Sequence, residues 1–460
     1  MKDIPVAVVG SGMSGAAVAA DLARAGVPVV VLEAGPDSGR RHVAADPKTA
    51  DLADPGADED FVPFFAEAAG PHYDGHCGLR GRVGGRSLYW RGICLPVEPY
   101  ALADWPAEVR RRLGAPTGDG LYGQVWAELE RWTGRSLLAP RDDRESALLD
   151  TVRARGYGDA TVTPRAVRVL GEDARAACLW EAYSPVAGVP AASVRAPWPV
   201  EEVVPAPDGT VEVRAAGGEG AESIRARAVV LCAGTVHNAR LLTRAGRRAG
   251  VAVPASFAIV DHLVRGWVAA VPGDGPVDAS VLAVRDADAR SNVMVETTGT
   301  NGDTLLDVWA MGEQRPSPAS QFGFDEAGGA HCEAGHSADD LEVLERQGAL
   351  LHGLADALGV ADGPGPVPVG DESGFDEAVD RARRAPGRAV PYHAPLGGLD
   401  HESCSLPLGG PVVDATGRAR DLGPLYVAGP SLFPRAGAAN PSLTTLALSR
   451  YVAENVLRSL

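Results

Sequence analysis

The feature that most constrains this chain lies near its start. An apolar, β-branched run over residues 4–9 leads into Gly10-Ser11-Gly12-Met13-Ser14-Gly15, then into an alanine-rich stretch ended by Gly26. A second apolar run over residues 27–32 ends in Glu33. Short continuous apolar runs are the pattern of buried parallel strands, and a helical stretch between two of them makes a βαβ unit. Gly10 permits the tight turn, Gly12 lets the backbone approach a diphosphate, and Gly15 lets helix and strand pack closely. Glu33 stands where a carboxylate accepts ribose hydroxyls, and its charge disfavours a 2′-phosphate. The pattern predicts an α/β fold built on a Rossmann-type, parallel-sheet domain for a dinucleotide. Met13 in the turn and Ala34 beside Glu33 join the expected cofactor contacts. The motif alone does not separate FAD from NAD.

A chain of 460 residues has room for roughly two or three domains. Its net charge of -17 argues against a nucleic-acid surface and against adsorption to an anionic membrane. The six cysteines, at 77, 94, 178, 232, 332 and 404, include no CxxC pair, so no zinc ribbon or redox dithiol is expected. The first strand starts too early to leave room for a signal peptide, and no apolar run reaches the ~18 residues of a membrane span. The expectation is a cytoplasmic protein.

Helical patterns cover residues 121–132 and 146–155. Alternating segments at 210–214 and 223–227 precede the apolar run 228–232, as a meander returning to the parallel sheet would. Four strand-like segments, 264–271, 280–285, 291–298 and 305–311, predict an antiparallel sheet with helices as a substrate domain. Ser337-x-x-Asp340 is a capping-box start for a helix reaching about residue 358, and residues 375–382 mark another. His331, Cys332, Glu333 and His336 are read as loop near the substrate mouth, and no metal is expected. His72 and His76 are likewise given a loop role.

Three further segments carry chemistry. In Arg80-Gly-Arg-Val-Gly-Gly-Arg-Ser-Leu-Tyr-Trp90, the glycines at 81, 84 and 85 let backbone lie against a flat ring or a diphosphate. Ser87 can donate a hydrogen bond there, and Trp90 offers a rigid wall. The strand ending at Cys232 delivers Ala233, Gly234 and, one helical turn on, His237 to the edge where ligands gather in such sheets. Near the C-terminus, His401 can accept a proton near neutral pH. Gly429 ends a short apolar strand, and Asn440-Pro441 opens a helix whose free N–H groups favour negative charge. Asn440 can hold a substrate oxygen or serve as an N-cap. His393, in Tyr-His-Ala-Pro-Leu-Gly-Gly, is a rival to His401.

Taken together, these segments resemble the glucose–methanol–choline (GMC) oxidoreductase family. GSGMSG with Glu33, RGRVGGRSLYW, AVVLCAGTVHNARLL, HESCSLPLG and LYVAGPSLFPRAGAANPSLT follow the family's motifs in order. The Trp90 loop and the Asn-Pro ending look most like the pyranose-oxidase-like branch. The resemblance implies FAD and a three-part FAD domain over residues 1–100, 198–250 and 396–460. Insertions at 101–197 and 251–395 then build the substrate region. It implies His401 as general base, Asn440 as its partner, hydride transfer from an alcohol to flavin N5, and a helix at Pro441 over the flavin. Tyr89 occupies the place of a histidine that tethers FAD in some members, so noncovalent FAD is expected. The expected partners are a small alcohol (a sugar, glycoside, cyclitol or specialised metabolite) and O2 or another electron acceptor. A relative that retains flavin as a lyase or isomerase is the alternative. The chain departs from the family at Cys404, where glycine is preferred, and at Ser405 and Pro407-Leu408.

Overall fold

The computed structural model describes residues 4–45, 58–65, 68–69, 77–172, 178–218, 220–272, 278–300, 303–326, 328–360 and 373–460. His72 and His76 lie outside the described residues. The fold is mixed α/β. Its first sheet has seven strands, and Ile4–Val9 runs parallel between Val29–Leu32 and Ser223–Leu231. Val194–Arg195 extends one side, and the antiparallel meander Val200–Pro205 and Val211–Ala215 returns into Ser223–Leu231 on the other. Leu425–Val427, some 200 residues later, pairs parallel with the end of Ser223–Leu231 and so brings the C-terminal segment to the same edge.

Burial follows the sequence pattern. Val6, Ala7, Val8, Val229, Val230 and Leu231 are fully buried, as strands covered on both faces require. The helix Met13–Arg24 packs on the C-terminal helix Ser442–Ser459 over this sheet.

The second large sheet is antiparallel, in the order Val390–Ala394, His262–Pro272, Asp303–Glu313, Ser291–Thr300, Ala279–Asp286, Thr161–Val162. Its faces differ. Trp267, Ala269, Val293, Val295, Val308 and Ala310 pack against Ala338–Leu358 and Asp143–Ala154. Val264, Met294 and Met311 alternate with them on the opposite face. The helix Ala338–Leu358 begins as its sequence predicts: Ser337 Oγ accepts from Asp340 N, and Asp340 Oδ2 accepts from Ser337 N.

One reading is corrected. Residues 330–334 are a strand, Ala330–Ala334, paired with Ser320–Phe324 and with Ala68–Ala69. His331 and Glu333 are exposed while Cys332 is buried, so strand alternation explains a spacing that suggested a loop. Among the described residues no helix is long and apolar enough to cross a membrane.

Candidate active site

The strands Ile4–Val9 and Ser223–Leu231 end in register, Val9 opposite Leu231. Beyond them lies a cavity of about 820 Å³. Gly10, Gly12, Met13, Glu33 and Ala34 line one part of it, as do Ala233, Gly234 and His237. Gly81, Gly85, Ser87, Tyr89 and Trp90 add a second wall. His401, Asn440 and Pro441 complete it from the C-terminal segment. Four separate stretches of chain thus converge on one space.

Gly15, Gly84 and Gly429 do not line this cavity and stand one layer behind it. A Cβ on Gly15 would sit 1.9 Å from the carbonyl oxygen of Gly10, so its absence lets the helix approach the turn. Gly84 N donates to Ser11 Oγ at 2.9 Å, tying the two glycine-rich loops together. At Gly429 the neighbours Ala428 and Pro430 line the cavity instead.

His401 sits in a turn that is held on both sides. Arg86 Nη1 bonds the Asp400 carbonyl at 2.9 Å and Glu402 Oε2 at 2.5 Å, and Arg86 Nη2 pairs with Asp400 Oδ1 at 2.9 Å. Behind the imidazole, His401 Nδ1 lies 3.1 Å from His262 Nδ1, with the rings edge to face. His262 is buried, and its Nε2 has no partner among the described residues. Burial above all, then the neighbouring His262 and the charge of Arg86, push His401 down to about 3, with Asp261 opposing. His401 is therefore neutral at ordinary pH.

Asp261, His262 and His401 bring ligand atoms within 4.8 Å of one another, a spacing that a metal ion also accepts. Asp261 is already engaged, however. Its Oδ2 accepts from Gly397 N at 2.8 Å and Leu399 N at 3.3 Å, and its Oδ1 accepts from His262 N at 2.7 Å. This supports a hydrogen-bonded bracket that fixes the turn carrying His401 to the strand His262–Pro272.

Asn440 is 9% exposed, and its Oδ1 is buried without a partner among the described residues. The N-cap reading of its side chain is corrected. The N-cap position falls on Pro441, whose carbonyl accepts from Thr445 N at 2.8 Å, and no side chain caps the helix. The Asn440 Oδ1 thus takes no part in capping the helix. His393 alternates between Tyr392 and Ala394; those two line the cavity and His393 does not.

Residues 333–449 match the family model described as GMC oxidoreductase, and residues 8–47 match that of the NAD(P)-binding Rossmann-like domain. Over residues 333–449 the chain is similar to the GMC oxidoreductases. Its fold is similar to that of pyridoxine 4-oxidase from Mesorbium loti, with a TM-score of 0.62 at 17% identity, over 98% of this chain and 99% of that one. Among curated proteins, none matches the chain. That match supports an oxidoreductase acting on CH–OH groups.

The cavity fits FAD on its own geometry. A Cβ on Gly12 would meet nothing within 4 Å, so that backbone is open to a diphosphate. The helix Met13–Arg24 has no acid in its first turn to compete for its N-terminal N–H groups. Glu33 accepts from Ser11 N at 2.9 Å, Ser11 Oγ at 2.6 Å and Gly35 N at 3.0 Å. Two carboxylate oxygens offer about four lone-pair sites, so capacity for a ribose hydroxyl remains. Ser87 Oγ donates to the Gly84 carbonyl at 2.7 Å and lies 2.6 Å from Ser184 Oγ, so it shapes the loop.

Several residues of this enzyme's site have no signal in the sequence. Arg86, Asp261 and His262 all act on His401 across long separations. Asp307, Trp309 and Tyr392 line the far wall of the cavity, on the antiparallel sheet. The Tyr392 hydroxyl donates to Asp307 Oδ1 at 2.8 Å. Burial and the neighbouring Glu296 carboxylate push Asp307 up to about 7.

Proposed function

We propose that this protein is a GMC-type flavoprotein that oxidises a secondary or primary alcohol of a sugar, glycoside, cyclitol or related specialised metabolite, with His401 as general base. The observation that carries the proposal is the pairing, in one cavity, of a neutral His401 with an Asn440 amide that has no partner for its Oδ1. When bound, FAD supplies the acceptor for the hydride that leaves the carbinol carbon. The remaining work belongs to the chain. In the proton-accepting tautomer, His401 holds its hydrogen on Nδ1, donates it to His262 Nδ1, and keeps a lone pair on Nε2. That nitrogen takes the hydroxyl proton as the carbon–oxygen bond becomes a carbonyl. Asp261 favours the imidazolium so formed. Asn440 positions the oxygen, and Arg86 keeps the turn from swinging away.

Noncovalent FAD is supported at Tyr89. Its phenol is pushed up to about 12 by burial, and it stands where a tethering histidine would be needed. A cytoplasmic setting is supported by Cys94, Cys232, Cys332 and Cys404, which are buried thiols outside any disulfide among the described residues. Reoxidation by O2 or by another acceptor completes the cycle.

The test is anaerobic mixing of the FAD-loaded enzyme with a panel of polyols and glycosides. Bleaching of the flavin band, with recovery of a carbonyl product, is expected. Conversion of a substrate without any bleaching would overturn the proposal in favour of a lyase or isomerase that keeps its flavin. Recovery of colour on admitting air identifies O2 as acceptor.

A further inference from the structure

We infer that the alcohol this enzyme takes also carries a protonated amine, and that Asp307 on the far wall of the cavity binds it. The inference rests on the alcohol-oxidation reading above and names the chemical class which that site accepts.

The antiparallel register places Asp307 directly opposite Glu296. Like charges in directly opposed positions destabilise a sheet. The donors around them are neutral: Tyr392 OH to Asp307 Oδ1 at 2.8 Å, Trp309 Nε1 to Glu296 Oε2 at 3.2 Å, and Ser280 Oγ to Glu296 Oε1 at 2.8 Å. The one cation near the pair is Arg91, whose Nη1 stands 3.9 Å from Glu296 Oε2 on a side chain 72% exposed, where solvent screens it. Among the described residues no donor is bonded to Asp307 Oδ2, and Asp307 itself lines the cavity.

The surroundings suit a cation. Trp309 follows Asp307 on the same face of its strand. Tyr392 lies across Gly266, where a Cβ would come within 2.5 Å of its ring, so the glycine makes room for an aromatic face. Phe375 meets that ring edge-on with centroids 5.1 Å apart. A carboxylate among aromatic faces is the chemistry that recognises an ammonium group. The second, independent sign of a ligand is Asn440, nine-tenths buried with an unpartnered Oδ1 in the same cavity. The raised affinity of Asp307 for a proton agrees with a site short of positive charge.

Matched ligands test this on the FAD-loaded enzyme: D-glucosamine against D-glucose, and 2-aminocyclohexanol against cyclohexane-1,2-diol. Binding is read by tryptophan fluorescence and reduction by anaerobic flavin bleaching. The amine of each pair should bind about 10- to 100-fold more tightly, the range for a charge-assisted hydrogen bond. Asp307→Asn should bring the amine and the neutral member of each pair to within about twofold of one another, and melt no lower than the parent because it removes a like-charge pair. Absence of an amine advantage in either pair, or its survival in Asp307→Asn, would overturn the inference. Selective amine binding with no bleaching by any ligand supports the inference and overturns the oxidation reading instead.

Discussion

Along Ile4–Val9 the side chains Val6, Ala7 and Val8 are wholly buried, and the strand meets the cavity as main chain at Gly10 and Gly12. Along Asp303–Glu313 the relation is reversed. Asp307, Trp309 and Met311 present side chains to the same cavity, while the residues between them build an apolar core. One wall recognises with backbone geometry that any chain can make if glycines are spaced correctly. The other presents charge and ring faces, Asp307, Trp309 and Tyr392. His401 stands between them, tied to the first wall by Arg86 and to the second by His262.

Three experiments press on this division. The largest effect is expected at the backbone wall. Gly10 has a φ of +96°, and a Cβ there would lie 2.5 Å from the Cys232 carbonyl oxygen. Gly10→Ala should cost more than about 1 kcal/mol of stability and yield protein without a flavin spectrum. Retention of FAD at parental occupancy would break the comparison on that side. Next, His401→Ala should keep its flavin spectrum but slow bleaching by about 100- to 10,000-fold, the usual worth of a general base. Near-parental bleaching would remove His401 from the chemistry. The smallest effect is a profile that stays flat. Because His401 is held down near 3, it is neutral above that value and loses its base form only as pH falls through it. In Asp307→Asn, which removes the one other cavity group held near 7 among the described residues, bleaching by a neutral polyol should hold constant between about pH 5 and 8. A limb centred at the ordinary histidine value would show that His401 is not depressed as its surroundings imply.

The backbone wall was legible in the sequence because its causes are local. Glycines at 10, 12 and 15 after an apolar run, the alternation over residues 264–311, and the Ser337–Asp340 capping box each act within a few residues. The side-chain wall was not. Asp307 faces Glu296 only through strand register, and His262 reaches His401 across 139 positions. Residues 330–334 were misread as loop because the glycines at 328, 329 and 335 around them carried more weight than the two-residue alternation of Ala330–Ala334. The Cys404 departure now has a physical setting. Its φ is +70°, the left-handed region where glycine is at ease and a side chain costs roughly 1 kcal/mol, so this turn would suit a glycine better than the cysteine it carries.

The two-faced character of the antiparallel sheet has a consequence for descent. Its outer face, with Trp267, Val293, Val308 and Ala310 sealed under helices, holds the scaffold together. Mutations at 307, 309 and 392 fall on the other face. A lineage can therefore drift to new metabolites by exchanging a few inward side chains, while selection on foldedness acts on their outward neighbours in alternate positions of the same strands.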